Sequence, residues 1–379
     1  GSFGRVPVLR IDALDEAFDS MAFRGGQRLG PWLFATSPAV YTAAALGIAA
    51  RLMARAGLPA PAAWQQPAPY AIALPWTGDD LLFITAQSQG RTAALLADYA
   101  FSLPAIGHTL APMAPVAVLM HDLFSQRGES FARQGARDSV TLLSAGAEAR
   151  LLRRAGIIIA IQAEEAAAAR RMAPRAAVLV APMAARPVAA PQPGQGAGLL
   201  FVGSATPPNI DAMRWFLAEA WPALRQRHPD LSLCVAGQVG TALAAEGTWP
   251  GVALLGRVAD LAPLYARADI VISPLRAGSG LKIKLVEALA AGKAIIASPA
   301  TLQGVEATTR DAVMVAETAA EFLAAIDLLL RDGDQRAVLA GRALREAGTR
   351  FSAEAAYGPL IHALRQAIAA PAATTTRAA

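Results

Sequence analysis

The sequence predicts an α/β protein built from two doubly wound domains. Short apolar runs of strand length alternate with helical stretches along almost all of its 379 residues, and a segment rich in proline and glycine interrupts that alternation near the middle. Several runs are apolar at every position, as expected for parallel strands buried on both faces of a sheet. We therefore expect two sheets covered by helices, with ligand sites at the carboxyl ends of their strands.

In the first half, predicted strands and helices alternate as far as residue 186. Strands are predicted near Val6–Ile11, Trp32–Thr36, Tyr70–Leu74, Leu81–Thr85, Val116–Met120, Gly156–Ile161 and Ala177–Val180. Helices are predicted at Ala39–Ala56, Thr92–Ser102 and Glu164–Met172. The last helix has two acidic residues in its first turn and two arginines at its end, an order that suits the helix dipole.

The segment 186–198, RPVAAPQPGQGAG, contains three prolines and three glycines without apolar periodicity, which indicates a linker. Beyond it, strands are predicted at Leu199–Val202, Leu231–Ala236, Val252–Leu255, Ile270–Ser273 and Ala294–Ala297, and helices at Ile210–Gln226, Asp260–Arg267, Leu281–Ala291 and Ala319–Leu330. The expected divisions are a first domain at 1–186, a linker at 187–198, a second domain at 199–350, a helix at 351–369 and a disordered tail at 370–379.

The composition excludes several classes of protein. Hydrophobic residues make up 54% of the chain and charged residues 17%, so long disordered stretches inside the domains are not expected. The longest uncharged run near the start, about residues 39–50, is shorter than the roughly 18–20 residues of a membrane-spanning helix. The single Cys234 and four scattered histidines predict neither a disulfide nor a metal centre. We expect a cytoplasmic protein that needs no metal and no cofactor.

The basic residues are unevenly distributed. Of 34 basic residues only Lys282, Lys284 and Lys293 are lysines, and they lie within twelve residues, which favours a site for a compact ammonium group over chance clustering. Residues 1–198 carry 17 arginines against 13 acidic residues. Aromatic residues are not interleaved with these arginines, so nucleic-acid binding is not expected. The excess indicates a solvated face or, as the alternative, peripheral docking on anionic lipid at the inner face of the membrane.

One strand–loop–helix segment has the pattern of a ligand site. A buried strand ends at Ser273, and the small-residue loop 277–280 leads into a helix. Amide groups at a helix start bind anions, and glycines let a phosphate approach closely. At 100° per residue, Lys284 and Glu287 share the face of Gly280 and Lys282 points away. The pattern predicts a diphosphate at Lys284 and a ribose at Glu287, with a plain Lys–Glu ion pair as the alternative.

The string PLRAGSGLKIKLVEALAAGKAIIAS at 274–298 resembles the donor-binding signature of glycosyltransferase family 4 and its GT-B relatives. FVGS at 201–204, AGQVG at 236–240 and LLGRV at 254–258 fit the same signature. The resemblance implies a GT-B fold with a cleft between two Rossmann-like domains and a last helix that returns to the first domain. It also implies a retaining, metal-independent hexosyltransferase of bacterial polysaccharide biosynthesis, which transfers sugar from a nucleoside diphosphate-sugar to a glycan, lipid-linked or small-molecule acceptor.

The resemblance also implies a set of donor-binding residues. They are Gly203, Ser204, Arg257, Val258, Arg276, Gly278, Ser279, Gly280, Lys282, Lys284 and Glu287. Two positions depart from the family pattern, since Ser279 stands where the first of two acidic residues is usual, and 204–209 lacks the usual arginine and lysine. Neutralisation of the diphosphate then falls to Lys284, helped by Arg276 or Lys282.

A second loop follows the predicted strand Val116–Met120. His121 and Asp122 resemble the His–Asp step of the family, in which the histidine approaches the donor sugar, so these two residues and Lys284 are the predicted catalytic residues. A histidine at a strand end can orient a hydroxyl group or move a proton. The alternative is a histidine that caps or packs under the next helix. Arg127 is a candidate contact for donor or acceptor.

Two further functions remain open at the level of the sequence. One is a catalytically degenerate protein of the same family that binds a nucleotide-sugar or serves as a scaffold, which the serine at 279 favours. The other is a nucleotide-sugar epimerase on the same fold.

Overall fold

A computed structural model describes residues 93–109, 114–127, 143–191, 194, 196, 198–278 and 280–369, together with positions 2–3, 6–7, 26–29, 32–35, 46, 49, 52–53, 55–59 and 61. The chain divides into two compact units. The first comprises Gly1–Ile158, Ala169–Val178 and Leu364–Ala379, and the second comprises Ile159–Ala168 and Leu179–Ala363. The domain boundaries expected from the sequence, and the return of the last helix to the first domain, stay predictions.

Two short antiparallel pairs lie at the beginning of the chain. Strand β1 (Ser2–Phe3) pairs with β2 (Val6–Pro7), and β3 (Gly26–Leu29) pairs with β4 (Trp32–Ala35). The strands predicted near 6–11 and 32–36 are present at the described positions 6–7 and 32–35, but they pair in antiparallel hairpins and not in a parallel sheet. Two residues separate β3 from β4, a connection that is long enough only for antiparallel strands. The predicted strands at 70–74 and 81–85 lie outside the described residues.

A four-stranded sheet follows in the chain. Its strands β5 (Leu95–Asp98), β6 (Val116–Leu119), β7 (Ile157–Ala160) and β8 (Ala177–Val180) stand side by side in chain order. Strands β5 and β6 are parallel, so that Asp98 lies opposite Leu119. Strand β7 is buried at all four positions, because its apolar side chains alternate between two covered faces. The helices of this part include α1 (Leu103–Ile106), α2 (Ala145–Leu152) and α3 (Ala163–Met172).

The helix predicted at Thr92–Ser102 is wrong. Residues 95–98 form β5, and a 3₁₀ turn follows at Ala100–Ser102. The alanines and leucines of this stretch favour a helix by intrinsic propensity, but backbone pairing with β6 overrides that preference. The helix predicted at Ala39–Ala56 agrees with the structure at the described positions 46, 49, 52, 53 and 55.

A six-stranded parallel sheet organises the second unit. In space the order of its strands is β11 (Val252–Leu254), β10 (Leu233–Ala236), β9 (Leu199–Val202), β12 (Ile270–Ser273), β13 (Ala294–Ala297) and β14 (Met314–Val315). The chain winds outward from β9 to β11, crosses to β12, and then winds outward on the other side. This is the doubly wound Rossmann order, and its topological switch point lies between β9 and β12.

Helices cover both faces of this sheet. Alternate residues of β9 point to opposite faces, so Leu199 and Phe201 join one buried cluster and Leu200 and Val202 join another. The helices of this region are α4 (Pro207–Glu219), α5 (Trp221–Arg227), α6 (Gln238–Ala244), α7 (Ala262–Arg267), α8 (Ile283–Ala290), α9 (Pro299–Leu302), α10 (Glu306–Thr309), α11 (Ala319–Arg331), α12 (Gly333–Glu346) and α13 (Ala353–Ala369). The strand-to-helix loops therefore emerge together at the carboxyl edge of the sheet.

Candidate active site

The loops after β9 and β10 pack against each other without side chains between them. The Gly203 amide donates a hydrogen bond to the Ala236 carbonyl oxygen at 3.0 Å. Gly237 has a φ of 98°, and a Cβ atom there would lie 2.2 Å from the Gly203 carbonyl oxygen. The side-chain amide nitrogen of Asn209, Nδ2, donates a hydrogen bond to the Ser204 carbonyl oxygen at 3.0 Å. These contacts fix Gly203 and Ser204, two of the predicted donor-binding residues, beside the switch point of the sheet.

The predicted phosphate loop follows β12. Its first part is fixed by the hydrogen bond that Ser298 Oγ donates to the Leu275 carbonyl oxygen. Gly278 and Gly280 have φ values of 149° and 70°, which glycine adopts without the strain that a side chain would cause. Ser279 lies outside the described residues. The glycines at 278 and 280 are therefore required by the path of the backbone at the carboxyl end of β12.

Lys282 does not point away from this loop, and the helical-wheel prediction for it is wrong. Helix α8 begins at Ile283, and Lys282 precedes it with φ −81° and ψ 96°. Its Nζ atom donates a hydrogen bond to the Gly280 carbonyl oxygen at 2.8 Å. The rotation of 100° per residue does not apply to a residue outside the helix, so the ammonium group folds back onto the loop.

Lys284 and Glu287 share one face of α8, as the spacing predicts. Lys284 Nζ lies 2.9 and 2.8 Å from the two carboxylate oxygens of Glu287. The side chains are 43% and 32% exposed. An exposed ion pair of this kind contributes about 0.2–1 kcal/mol. A polyvalent anion that attracts Lys284 can therefore open the pair at small cost and free the Glu287 carboxylate.

Glu287 lines a cavity of about 460 Å³, a volume typical of small-molecule sites. The lining also includes Arg186, Val258, Asp260 and Tyr265. The side chain of Tyr265 is 6% exposed, and its hydroxyl faces the Glu287 carboxylate. Burial, together with the Glu287 carboxylate, raises the pKa of this hydroxyl. The cavity thus combines apolar walls with a carboxylate and a neutral hydroxyl donor.

Of the remaining predicted donor-binding residues, one lines the Glu287 cavity and two arginines are exposed. Val258 lines the Glu287 cavity, whereas Arg257 is exposed and does not. Arg276 is more than half exposed, and its Nη1 atom lies 3.6 Å from Asp211 Oδ2 on α4. The structure therefore brings Lys282 to the glycine loop, pairs Lys284 with Glu287 on α8, and leaves the two arginines at the surface.

His121 and Asp122 follow β6, and they do not bond to each other. The Asp122 carboxylate accepts hydrogen bonds from the Leu123 amide at 2.9 Å and from Arg127 Nη1 at 2.8 Å. Asp122 is 8% exposed. Its carboxylate shapes the helical turn at 124–127 and holds Arg127, so Asp122 and Arg127 both have a structural function. The catalytic role of Asp122 and the ligand contact of Arg127 stay predictions.

Two residues that the sequence patterns do not single out surround His121. His121 Nε2 lies 2.5 Å from Asp98 Oδ1, and the His121 ring centroid lies 4.1 Å from that of Tyr99. Both partners are missed because the strand that ends at Asp98 is mistaken for a helix. The apolar run that ends in an acidic residue, LLAD at 95–98, is the signal that identifies them.

In the part of the chain that the structure describes, no group of three or more His, Cys, Asp or Glu side chains is arranged to hold a metal ion. Cys234 lies half-buried in β10, where burial raises the pKa of its thiol. The thiol is therefore a packing group of the strand.

Comparisons with known proteins agree with this architecture. Residues 196–332 match the family model described as "Glycosyl transferases group 1". Sucrose-phosphate synthase from Thermosynechococcus elongatus superimposes with a TM-score of 0.60 at 18% identity, over 77% of this chain and 78% of that one. Anabaena HepE, whose structure contains UDP, has a TM-score of 0.57 at 17% identity, over 76% and 82%. No curated protein sequence matches the chain.

A third similar structure is that of TarM. It has a TM-score of 0.59 at 11% identity, and the alignment covers 78% of this chain. The chain spans 58% of the TarM chain. At such identities the superpositions show the fold alone, which is that of the GT-B glycosyltransferases.

The two comparisons agree: residues 196–332 resemble the glycosyl transferases of group 1, and the chain resembles GT-B glycosyltransferases in its fold. The segment that carries the match, 196–332, contains the six-stranded sheet, the glycine loop and the Lys284–Glu287 pair.

Proposed function

We propose that this protein transfers a sugar from a nucleoside diphosphate-sugar to an acceptor hydroxyl, in the manner of glycosyltransferase family 4. The observation that carries the proposal is the Lys284–Glu287 pair beside the glycine loop, at the carboxyl end of β12. Ligands of doubly wound sheets bind outside the carboxyl ends of the strands at the switch point. A cation and a hydrogen-bond acceptor at that place suit a diphosphate joined to a ribose.

Each group has a defined task in this proposal. The diphosphate attracts Lys284 away from Glu287 and also meets Lys282, whose ammonium already lies at Gly280. The amides at the start of α8 add partial positive charge. The Glu287 carboxylate then accepts hydrogen bonds from the ribose hydroxyls, and the 460 Å³ cavity beside it receives the nucleoside.

The chemistry follows from where negative charge develops. The bond between the anomeric carbon and the diphosphate oxygen breaks, and the diphosphate departs with the bonding electrons. The acceptor oxygen forms a bond to that carbon and loses its proton to the departing diphosphate. Lys284 and the loop amides stabilise the departing diphosphate. His121 and Asp122 are assigned to the sugar. Retention of configuration and independence of metal ions rest on the family resemblance.

UDP is the first nucleotide to test. The structures of HepE and of a TarM mutant contain UDP, and that of a trehalose-6-phosphate protein from E. coli contains UDP-2-fluoro glucose. The acceptor is proposed to be a glycan, a lipid-linked saccharide or a small molecule of bacterial polysaccharide biosynthesis.

A cytoplasmic protein that docks on the inner face of the membrane through its arginine excess would reach a lipid-linked acceptor. Among the described residues no helix is both long and apolar enough to cross a membrane. Salt-sensitive cosedimentation with anionic vesicles tests the docking.

One observation favours a second function, that of a degenerate nucleotide-sugar-binding protein. Lys284 is engaged with Glu287, and Ser279 stands at the position of the usual first acid. A protein of this kind binds the donor but does not transfer its sugar.

Calorimetric titration with UDP, GDP and ADP, followed by turnover assays with the sugar derivatives of whichever nucleotide binds, tests the proposal. Micromolar binding of one diphosphate together with hydrolysis or transfer supports the enzyme. Binding without turnover favours the degenerate protein. The absence of binding of all three at millimolar concentration contradicts both functions.

A further inference from the structure

A side-chain cluster in the first unit surrounds His121 and is formed by Asp98, Tyr99, His121 and Phe124, here called the His121 cluster. Strands β5 and β6 are parallel, with Asp98 opposite Leu119. The two strands therefore end at the same edge of the sheet. Asp98 and Tyr99 leave β5 at the place where His121 leaves β6, which brings together residues 23 positions apart in the chain.

The backbone of Tyr99 has an unusual conformation. Its φ of 64° and ψ of 151° lie in a region that is almost restricted to glycine. The Tyr99 amide donates to the Leu119 carbonyl oxygen at 3.0 Å, and the Ser102 amide donates to the Tyr99 carbonyl oxygen at 3.1 Å. A non-glycine residue keeps such a conformation only where the surrounding structure holds it, and such residues are concentrated at functional sites.

The consequence of this conformation is the position of the Tyr99 ring. Its centroid lies 4.1 Å from that of the His121 imidazole, with 34° between the planes, and 6.1 Å from that of Phe124. One face of the imidazole is therefore covered by an aromatic ring, which limits rotation of the His121 side chain.

The contact of His121 with Asp98, whose side chains are 37% and 70% exposed, favours one position for the ring proton. His121 Nε2 lies 2.5 Å from Asp98 Oδ1. An ionised carboxylate only accepts hydrogen bonds, so Nε2 is the protonated nitrogen. In the neutral imidazole Nδ1 then holds the lone pair. Asp122 does not take this part in the structure, where its two oxygens accept hydrogen bonds from the Leu123 amide and from Arg127.

We propose that Asp98 and Tyr99 are positioning residues that hold His121 as the Nε2–H tautomer and present Nδ1 as a hydrogen-bond acceptor to a hydroxyl group of a substrate. Asp98 sets the tautomer and Tyr99 sets the plane of the ring. The identity of the hydroxyl rests on the proposed function, whereas the tautomer does not. Asp98 acts through His121 and does not contact substrate.

The tautomer is measured in the full chain by long-range proton–nitrogen NMR of ¹⁵N-labelled protein at alkaline pH, where imidazoles are neutral. The His121 signals are assigned by their loss in His121→Gln, since the chain has four histidines. We expect a protonated Nε2 and an unprotonated Nδ1. Asp98→Asn retains an acceptor oxygen and keeps the tautomer, whereas Asp98→Ala produces a mixture. Asp122→Asn is the matched control and leaves the His121 tautomer unchanged.

A protonated Nδ1, or a mixed tautomer in the unmodified protein, overturns the proposal. An unchanged tautomer in Asp98→Ala also overturns it. Tyr99→Phe keeps the aromatic ring and leaves the signals in place.

Turnover supplies the second measurement, with UDP-glucose hydrolysis as the probe and UDP affinity as the reference. Misplacement of a group that contacts the substrate lowers rates by up to about 100-fold. We expect Asp98→Ala to lower kcat by about tenfold or more, with the affinity for UDP unchanged and activity largely kept in Asp98→Asn. Equal kcat in Asp98→Ala and the unmodified protein contradicts the positioning role. If UDP does not bind at all, the proposed function fails. The NMR result then still tests whether Asp98 sets the tautomer of His121.

Discussion

Lys293 provides a test of burial that depends on pH. Its side chain is 1% exposed and lies immediately before β13. Burial is the main cause that lowers its pKa from 10.5 to about 8, and the Asp269 carboxylate opposes that shift. Over the interval between these two values, the unfolded chain keeps the lysine proton and the folded protein releases it.

The direction of the effect follows from proton linkage. Where the unfolded state binds more protons, the free energy of unfolding rises with pH. Each pKa unit corresponds to about 1.4 kcal/mol. The difference between the folded pKa of about 8 and the unfolded pKa of 10.5 therefore corresponds to about 3 kcal/mol in the free energy of unfolding. This stability is present above the unfolded pKa and is lost as the pH falls through the folded pKa.

The variant Lys293→Met keeps most of the length of the side chain and removes the charge. Urea unfolding of both proteins at about pH 7 and about pH 10 gives the two free energies of unfolding. We expect the stability of the unmodified protein, relative to the variant, to rise by about 2–3 kcal/mol over this range. A difference that does not change with pH refutes the reasoning, because it means that folding does not alter the pKa of Lys293.

Three further substitutions test individual contacts by urea unfolding. Gly237→Ala places a Cβ atom 2.2 Å from a carbonyl oxygen at a φ of 98° and should lower the free energy of unfolding by about 2 kcal/mol or more, whereas Gly348→Ala meets nothing within 4 Å and should not. Burial raises the pKa of Asp327, but hydrogen bonds from residues such as His228 lower it by more, so the net pKa in the folded protein is below 3.8. The carboxylate therefore stabilises the folded protein above the unfolded pKa of 3.8, and this stabilisation is lost as the pH falls through the folded pKa. Asp327→Asn should therefore cost about 1–3 kcal/mol at neutral pH and less at acidic pH, and an equal cost at both would contradict the pairing. Tyr265→Phe removes the buried hydroxyl that faces the Glu287 carboxylate and should lower the free energy of unfolding by about 1 kcal/mol; an unchanged or raised free energy would show that the hydroxyl is not bonded.

The sheet of the second unit could be predicted because its strands are continuous apolar runs. Leu199–Val202, Ile270–Ser273 and Ala294–Ala297 are strands with the expected bounds. Strand β14 has two residues, which is too short for a periodic signal. In the first unit, β5 has the composition of a helix, and only its pairing with β6 makes it a strand.

The candidate site could be predicted only where helical spacing applied. Lys284 and Glu287 lie inside α8 and meet as expected, whereas Lys282 lies one residue before the helix and turns to Gly280. Lys293 is close to these lysines in sequence but precedes the first residue of β13, at the opposite edge of the parallel sheet from the glycine loop. The proximity of Lys293 to Lys282 and Lys284 in the sequence therefore does not indicate that the three lysines share a site. The contact between Asp98 and His121 depends on strand pairing, which local patterns do not contain.

The most direct test of the proposed donor site is calorimetric titration of UDP into the unmodified protein, Lys284→Ala and Lys293→Met. Lys282 cannot serve as the control because its ammonium lies at the loop, whereas Lys293 lies at the other edge of the sheet. We expect Lys284→Ala to weaken UDP binding by about 1.5–3 kcal/mol, roughly 10- to 150-fold, and uridine binding far less. Lys293→Met should bind UDP like the unmodified protein. Equal UDP affinity in Lys284→Ala and the unmodified protein would contradict the assignment of this loop and helix to the nucleoside diphosphate.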